Sequence, residues 1–549
     1  KLKRIEKSVK KICKYLSRHQ YQYDLGDDII IDRHGKIENS SLVVGNMNYD
    51  IVIVPEITVM RSSMFDLLKK FAHRGGIIIL AGKAPYLLEG KESKRLKEFF
   101  QREFIINASN SLDDIGKLLM KNNSTRVELT EKSGKCPSDV YCHLRETEEK
   151  EIVFLCNLDK NKKYQLTFKI DNNYQVECWD QFTGERNQVK LLKGDNNYSF
   201  AFSLPPANSR LFIINKASQG TVKEKTEKGN EIVNKADEKI YIKPEDWQVI
   251  REDYNAVTLN KCQVKYNKND QWCAPTNVVE MDDRLKEELG LEKGNIFSTQ
   301  PWLYNTEELS ETYSVQVKYD FYVEEELKGE IYIAAESPEI FTLYVNEKKV
   351  VPSEKYYKDR AFKLFDIKEE ITEGSNEVIL KTDEYGVTVN LESIYVVGEF
   401  KVFNNENDDF RMMPEKNFPT VGDWTETGYP FYSGKMTYKT NFYLNRDNYS
   451  KILLKFNKLW GCVFEVRINN TKAAVLGWEP FIIDVKEHIK QGDNNLELVV
   501  INSLQNLLGP YDYLEPEGLV TPGSFYSQKR IKFQKSGYSG EAVLKLWLS

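Results

Sequence analysis

The sequence predicts a multidomain chain: an N-terminal α/β domain on a parallel sheet, then mainly antiparallel β domains that include two sandwiches. Three observations lead there. The chain has 549 residues, more than one core organises at about 100–200 residues per domain. Its first part alternates short continuous apolar runs with a helical pattern: YDIVIVPEI, then MRSSMFDLLKKFAHRG, then IIILAG. The remainder breaks into short alternating runs between Asp-Asn, Thr-Gly and Gly-Asp turns, the pattern of half-buried strands.

Residues 1–125 form the α/β domain. KLKRIEKSVKKICKYL puts Leu2, Ile5, Val9, Ile12 and Leu16 at helical spacing among lysines, with no apolar leader core behind them. It reads as a helix entered partway, as in a piece of a longer protein. The compartment stays open between cytoplasmic and secreted. The run 49–57 is a buried strand. A helix follows, with Ser62 or Ser63 as N-cap, Met64, Leu67, Leu68 and Phe71 on one face, and Gly75-Gly76 at its end. IIILAG is the next strand, which completes a right-handed βαβ unit. LKEFFQREF and SLDDIGKLLMK are further helices.

Residues 126–216 form a small antiparallel β domain, with strands EIVFLCNL, YQLTFKI, YQVECWD, YSFAFSL and SRLFIINK. Residues 217–240 carry mostly charged or small side chains and no aromatic before Tyr241, as linkers do. Residues 241–400 form a β-sandwich, and 401–549 a C-terminal sandwich or jelly roll that opens with the loop 401–417. The last two echo each other. IYIAAESPEIFTLYVNEKKV followed by FDIKEEITEGSNEVIL parallels ILLKFNKLWGCVFEVRINNTKAAV followed by IDVKEHIKQGDNNLELVV. The sequence therefore predicts two copies of one sandwich, each with a Gly-x-Asn turn before a strand.

Composition excludes several functions. A net charge of -6 and no basic cluster among stacking aromatics argue against nucleic acid. No run approaches eighteen apolar residues, so no membrane helix is expected. The α/β turns PEITVMRSS and AGKAP lack the Gly-rich nucleotide motifs, and Glu56 stands where a nucleophile elbow would place Ser or Cys. The histidines at 19, 34, 73, 143 and 488 form neither HxH nor HExxH. Eight scattered cysteines without CxxC read as buried or free thiols in preference to disulfides. No cofactor is required, while the oxygen-rich loop NENDD (405–409) leaves room for Ca²⁺. Glycoside hydrolysis needs two placed carboxylates; among 83 acidic residues spacing certifies no pair, Glu336 and Glu339 included.

Aromatics in Gly/Pro loops are the stronger signal. Trp424, Tyr429, Phe431 and Tyr432 fall in DWTETGYPFYSG, Trp478 in LGWEPF, and Tyr511, Tyr513, Phe525 and Tyr526 in LGPYDYLEPEGLVTPGSFY. Such rings stack on the C–H faces of sugars, or on another domain, while Asn side chains fix hydroxyls. Trp424, Tyr429, Tyr432, Trp478, Asn506, Tyr511, Tyr513 and Phe525 are the expected carbohydrate contacts. Tyr438 and Phe442, on the following strand, are expected in the core.

These same stretches resemble the end of large bacterial glycoside hydrolases of the α-L-rhamnosidase type. Such tails read G-x-P-x-Y-x-G-x-x-x-Y, filled here by Gly428, Pro430, Tyr432, Gly434 and Tyr438. They continue W-x-P-x-x-x-D (Trp478, Pro480, Asp484), G-x-N-x-L (Gly492, Asn494, Leu496), N-x-L-G-P (Asn506 to Pro510) and G-x-x-x-P-G-S-F (Gly518 to Phe525). YDLGDDIIIDRHGKIENSSLVVGNMNYDIVIVPE and VECWDQFTGE…LPPANSRLFI resemble the region behind the catalytic barrel. The resemblance implies a glutamine-amidotransferase-like α/β domain with a flavodoxin-like sheet used structurally, then a β domain, then galactose-binding-like sandwiches. It implies a catalytic barrel of the same parent protein and carbohydrate as partners. Two departures stand out: GPYD replaces the usual GPHH, and no eight-fold βα series is present to bear catalytic carboxylates. No catalytic residue is carried over. A stand-alone carbohydrate-binding protein and a structural assembly protein are the alternatives.

Overall fold

The computed structural model describes residues 2–108, 111–121, 127–181, 184–195, 197–220, 222–223, 236–266, 271–291, 311–405, 409–417, 419–508 and 531–548. The chain divides into two compact units, Lys1–Val233 and Asn234–Ser549. It is a multidomain, β-rich protein dominated by antiparallel sheets. No described helix is long and apolar enough to cross a membrane. All eight cysteines are free thiols.

In the first unit, strands Ile51–Pro55, Ile77–Ala81 and Ile105–Asn107 pair in parallel and in chain order. Both faces are covered, which is why these strands are continuously apolar. Ile78 and Leu80 point toward helices Ser62–His73 and Lys94–Phe100, and Ile79 points the other way, toward Leu2–Arg18 and Leu112–Lys121. One expectation changes at the first crossover helix. Its N-cap is Arg61, not Ser62 or Ser63, and Ser62 N donates instead to the Glu89 carboxylate (2.7 Å). A loop acid thus supplies what a capping hydroxyl would. The buried face is Phe65, Leu68 and Phe71. Behind it, in the same unit, two five-stranded sheets close over Leu129, Leu155, Leu166, Phe168, Phe200 and Phe212. Phe168 and Phe200 stack with centroids 5.2 Å apart.

In the second unit, one sandwich is threaded through the other. Strands Glu238–Ile242 and Gln248–Arg251 pair with Ala542–Leu548 and Lys435–Leu444, so they belong to the C-terminal sandwich. Trp247 is locked there by its indole N–H, which donates to Gly540 O (2.8 Å). The chain then builds the other sandwich from Asn255 onward and returns. The segment 401–417, read as a loop, contains a hairpin: Phe400–Asn404 pairs with Phe410–Pro414 and buries Val402 and Met412 in the first core. Strands Asn255–Leu259, Ile331–Ala335 and Ile394–Gly398 are buried at every position, where the sequence reads as alternating. Their sheet is packed on both faces.

The predicted echo appears as one repeated hydrogen-bond circuit. In the first sandwich, Asn346 Nδ2 donates to Glu370 O (2.9 Å) and Asn376 Oδ1 (2.7 Å), and its Oδ1 accepts from Glu377 N (3.0 Å). Asn376 Nδ2 donates to Thr372 O (2.7 Å) and Gly374 O (3.1 Å), and Thr372 N donates to its Oδ1 (2.8 Å). In the second, Asn469 Nδ2 donates to His488 O (2.9 Å) and Asn494 Oδ1 (2.8 Å), and its Oδ1 accepts from Asn495 N (3.2 Å). Asn494 Nδ2 donates to Lys490 O (2.7 Å) and Gly492 O (3.0 Å), and Lys490 N donates to its Oδ1 (2.9 Å). Both circuits rest on a two-residue hairpin with positive φ at each central residue, Asn346-Glu347 and Asn469-Asn470. That is the geometry a tight hairpin requires and asparagine tolerates. Gly374 and Gly492 then take φ +93° and +92°.

Candidate functional site

The loop GYPFYSG is a seam between the two sandwiches. Trp424, Tyr429, Phe431 and Tyr432 are at most 1% exposed. Trp424, Tyr429 and Tyr432 fill the C-terminal core, whereas Phe431 enters the other one and meets Phe410 edge-on, centroids 4.7 Å apart. Trp424 Nε1 donates to Tyr438 OH (2.7 Å). The Tyr429 hydroxyl donates to the Glu415 carboxylate, which also holds Arg251 Nη2 (2.8 Å). Burial, then Glu415, pushes the Tyr429 phenol far above its ordinary value. Tyr432 OH donates to Lys435 O (2.5 Å) and accepts from Asp253 N (3.2 Å). The Asp253 carboxylate takes Lys435 N (3.0 Å) and Lys358 Nζ (3.0 Å). Gly434 has φ +153°, and a Cβ there would lie 2.3 Å from Asp253 Oδ2.

Three of the expected glycan contacts, Trp424, Tyr429 and Tyr432, therefore have their rings packed against protein. Asn506 is also buried and clamps the backbone of Gln534 from both sides (2.8 and 2.9 Å). Trp478 is 41% exposed in the loop after strand Thr471–Leu476. Tyr511, Tyr513 and Phe525 lie outside the described residues, as do 406–408 of the calcium loop. The described end of that loop is engaged: Asp409 Oδ2 pairs with Arg411 Nε at 2.9 Å. Among the described residues no group of three or more His, Cys, Asp or Glu side chains could hold a metal ion.

The carboxylates that converge are ones spacing did not pair. Glu336 and Glu392, with Tyr319 and Asn390, line a cavity of about 20 Å³ in the first sandwich. Glu392 is pushed up to about 7 by burial, then by Glu336 and Asp282, against Lys286. Glu336 is raised by burial, then by Asp359. Glu339 is exposed. Beneath them lies a buried ion pair on helix Val278–Leu289: Lys286 Nζ meets Asp282 Oδ2 at 2.9 Å and Asn390 Oδ1 at 2.6 Å. Tyr385 OH (2.7 Å) and Leu391 N (2.9 Å) donate to Asp282 Oδ1. A cavity of this size accommodates a water rather than a sugar ring. The cavity has no room for a glycosidic bond.

In the α/β domain, ligands of open parallel sheets bind beyond the carboxyl ends of strands, where strand order reverses. The three parallel strands run in chain order, with no reversal among them. The N-terminal helix covers the end of the first: Arg4 Nε meets Glu56 Oε1 at 2.9 Å, and Glu56 N donates to Ser8 Oγ (3.2 Å). A Cβ on Gly82 would lie 2.6 Å from Glu56 Cβ. The crest is packed with protein.

No family model matches the chain, and no curated protein matches it. Among solved structures, it is similar to a rhamnosidase from Novosphingobium sp. PP1Y, at 12% identity and a TM-score of 0.43, over 96% of this chain and 36% of that one. The α-L-rhamnosidase of Streptomyces avermitilis is matched at 10% identity and TM-score 0.22, over 70% of this chain and 37% of that one. A family 2 glycosyl hydrolase from Bacteroides cellulosilyticus is matched at 13% identity and TM-score 0.18, over 47% and 32%. The chain thus spans about a third of the length of the solved structures it matches, which are rhamnosidases and other glycoside hydrolases.

Proposed function

We propose that this chain is the non-catalytic C-terminal portion of a glycoside hydrolase acting on α-L-rhamnosyl or related plant-type glycans, and that it scaffolds the catalytic barrel of the same parent protein. The observation that supports this reading is the architectural use of the C-terminal motif. Gly428 O accepts from Asn255 of the other sandwich and Tyr432 OH from Asp253 at its entrance, Gly434 and Tyr438 bond within the C-terminal sandwich, and Asn494 and Asn506 tie backbone turns. On this reading the α/β domain is a glutamine-amidotransferase-like module with a flavodoxin-like sheet, and the sandwiches are jelly rolls of the galactose-binding-like kind. The catalytic carboxylates belong to the barrel. The reading is tested by the reading frame upstream of Lys1. It should encode an eight-fold βα series; an upstream segment without one overturns the proposal.

A carbohydrate-binding role without hydrolysis is the second reading, favoured by the exposure of Trp478. Retention on a rhamnose-rich polysaccharide that disappears in Trp478→Ala combined with Tyr511→Ala would support it. Unchanged retention removes these loops as the site.

A further inference from the structure

Folding assembles what no stretch of the sequence contains: a basic strip set with aromatic rings. It lies on the outer face of one sheet of the first sandwich. The strands there are Lys261–Tyr266, Tyr313–Val323, Gly374–Tyr385, Thr342–Val345 and Lys348–Val350. Alternation separates the two faces. Val264, Val317, Leu343 and Leu380 turn into the core, so their neighbours turn outward. Register then makes two adjacent rows across the strands. One runs Gln263, Lys318, Ile379, Tyr344 and Lys349; the next runs Lys265, Gln316, Lys381 and Thr342. Cys273 N donates to Val264 O (3.2 Å), which brings Trp272 to the edge of the strip.

The two rows hold four lysines and no carboxylate, in a chain whose net charge is -6. Acids begin beyond them, with Asp320 beside Glu377 on one side and Asp383, which accepts from Ser314 Oγ, on the other. Two of the lysines are held by rings in place of acids. Lys318 Nζ lies 5.2 Å from the centroid of the Trp272 ring, and Lys381 Nζ lies 4.4 Å from that of Tyr344. Neither meets a carboxylate among the described residues. An ammonium held over a ring keeps N–H donors free and loses less freedom when it takes an anion. The two lysines occupy diagonal positions on neighbouring strands, about 7–8 Å apart at the backbone. Trp272 and Tyr344 are half-buried, so part of each ring reaches solvent.

Cations and rings also serve single-stranded nucleic acid, but there the rings stack successive bases. Here the two rings stand at opposite ends of the strip, with aliphatic and amide side chains between them. A sugar chain needs no run of rings: its C–H faces pack on isolated ones, and its hydroxyls take amides such as Gln316.

We propose that this strip binds an acidic glycan, a sugar chain bearing carboxylates, laid across the strands with its acids on Lys318 and Lys381 and its sugar faces on Trp272 and Tyr344. The proposal rests on the glycan reading above and adds a location and a charge class to it.

Calorimetric titration of this chain with tetramannuronate, with mannotetraose (the same backbone without the acids) and with a short oligothymidylate tests it. Tetramannuronate should bind, more weakly as salt rises, and mannotetraose should bind about ten-fold more weakly or worse. Lys318→Gln and Lys381→Gln, both on the outer face, should each weaken tetramannuronate binding about ten-fold, a loss of about 1.4 kcal/mol. Trp272→Ala should weaken it as well. Lys451→Ala, at an exposed position of the C-terminal sandwich, should leave it unchanged. Melting curves show which variants are folded, and either lysine variant alone decides if the other is not. Equal affinity for the two tetrasaccharides, or binding unaltered by the lysine variants, overturns the strip as an acid-binding site. Tighter binding of the oligothymidylate, lost in the same variants, overturns the glycan and assigns the strip to single-stranded nucleic acid. Absence of all binding overturns the proposal, while the parent-enzyme reading is decided separately by hydrolysis.

Discussion

Replacing Asn494 with alanine tests the repeated circuit as the element that holds each sandwich's turn. Asn494 is 1% exposed and its side chain makes four hydrogen bonds, to Lys490 N, Lys490 O, Gly492 O and Asn469 Nδ2. At about 1 kcal/mol net for each, deletion costs about 4 kcal/mol. Lys490 is exposed and Gly492 half-buried, so water recovers part of this, and about 3 kcal/mol is expected. Urea unfolding followed by tryptophan emission reads it, because Trp247 and Trp424 both lie in the C-terminal core. The midpoint should fall with little change in slope. Asn376→Ala in the other sandwich breaks the same four bonds, with Thr372, Gly374 and Asn346 as partners. It should cost a similar amount. The two share no partner, so the double variant should be additive within about 0.5 kcal/mol. A loss below about 1 kcal/mol at Asn494 would refute the idea that the circuit, rather than the strands around it, fixes the turn.

Other expectations follow from the same contacts. Lys286→Met leaves the Asp282 carboxylate buried without its cation and should cost about 3–5 kcal/mol in unfolding free energy; adding Asp282→Asn should recover part of it. Glu392 is a carboxylic acid whose folded value, about 7, lies above its ordinary 4.5. Between those values the native state binds the proton more tightly than the unfolded chain. Stability should therefore fall as pH rises through that window, and Glu392→Gln should flatten the profile measured by denaturation from pH 4 to 8. Gly537→Ala should sharply reduce soluble yield, since its φ is +121° and a Cβ would lie 2.2 Å from Gly422 O, across the short Gly422–Asp423 pairing; the conformation alone costs about 1–3 kcal/mol.

The parts legible in the sequence are those set locally. Within YDIVIVPEI and IIILAG, the strands Ile51–Pro55 and Ile77–Ala81 declare a doubly covered parallel pair because every position in them is apolar. The sandwich repeat is visible because VNEKK and INNTK need positive φ at two successive residues, and the asparagine that opens each turn marks that need. What stayed hidden is non-local. Nothing near Glu238–Ile242 announces that its partner is Ala542–Leu548, so the sequence there reads as a linker followed by separate domains, while in the structure one sandwich is threaded through the other. The aromatics of GYPFYSG look exposed because loops usually run over surfaces. Here the loop lies between two cores, where Asp253 and Glu415, far apart in the chain, meet its hydroxyls and Arg251 holds Glu415. Glu392 joins Glu336 only through folding; the Asp282–Lys286 spacing of one helical turn was the available hint, and its burial was not in the pattern.

The most direct test of the scaffold proposal is release of aryl alcohol from an aryl α-L-rhamnoside by this chain and by the longer polypeptide translated with its upstream reading frame. The account predicts turnover by the longer polypeptide and none above the uncatalysed rate by residues 1–549 alone. Turnover by residues 1–549 alone would contradict it.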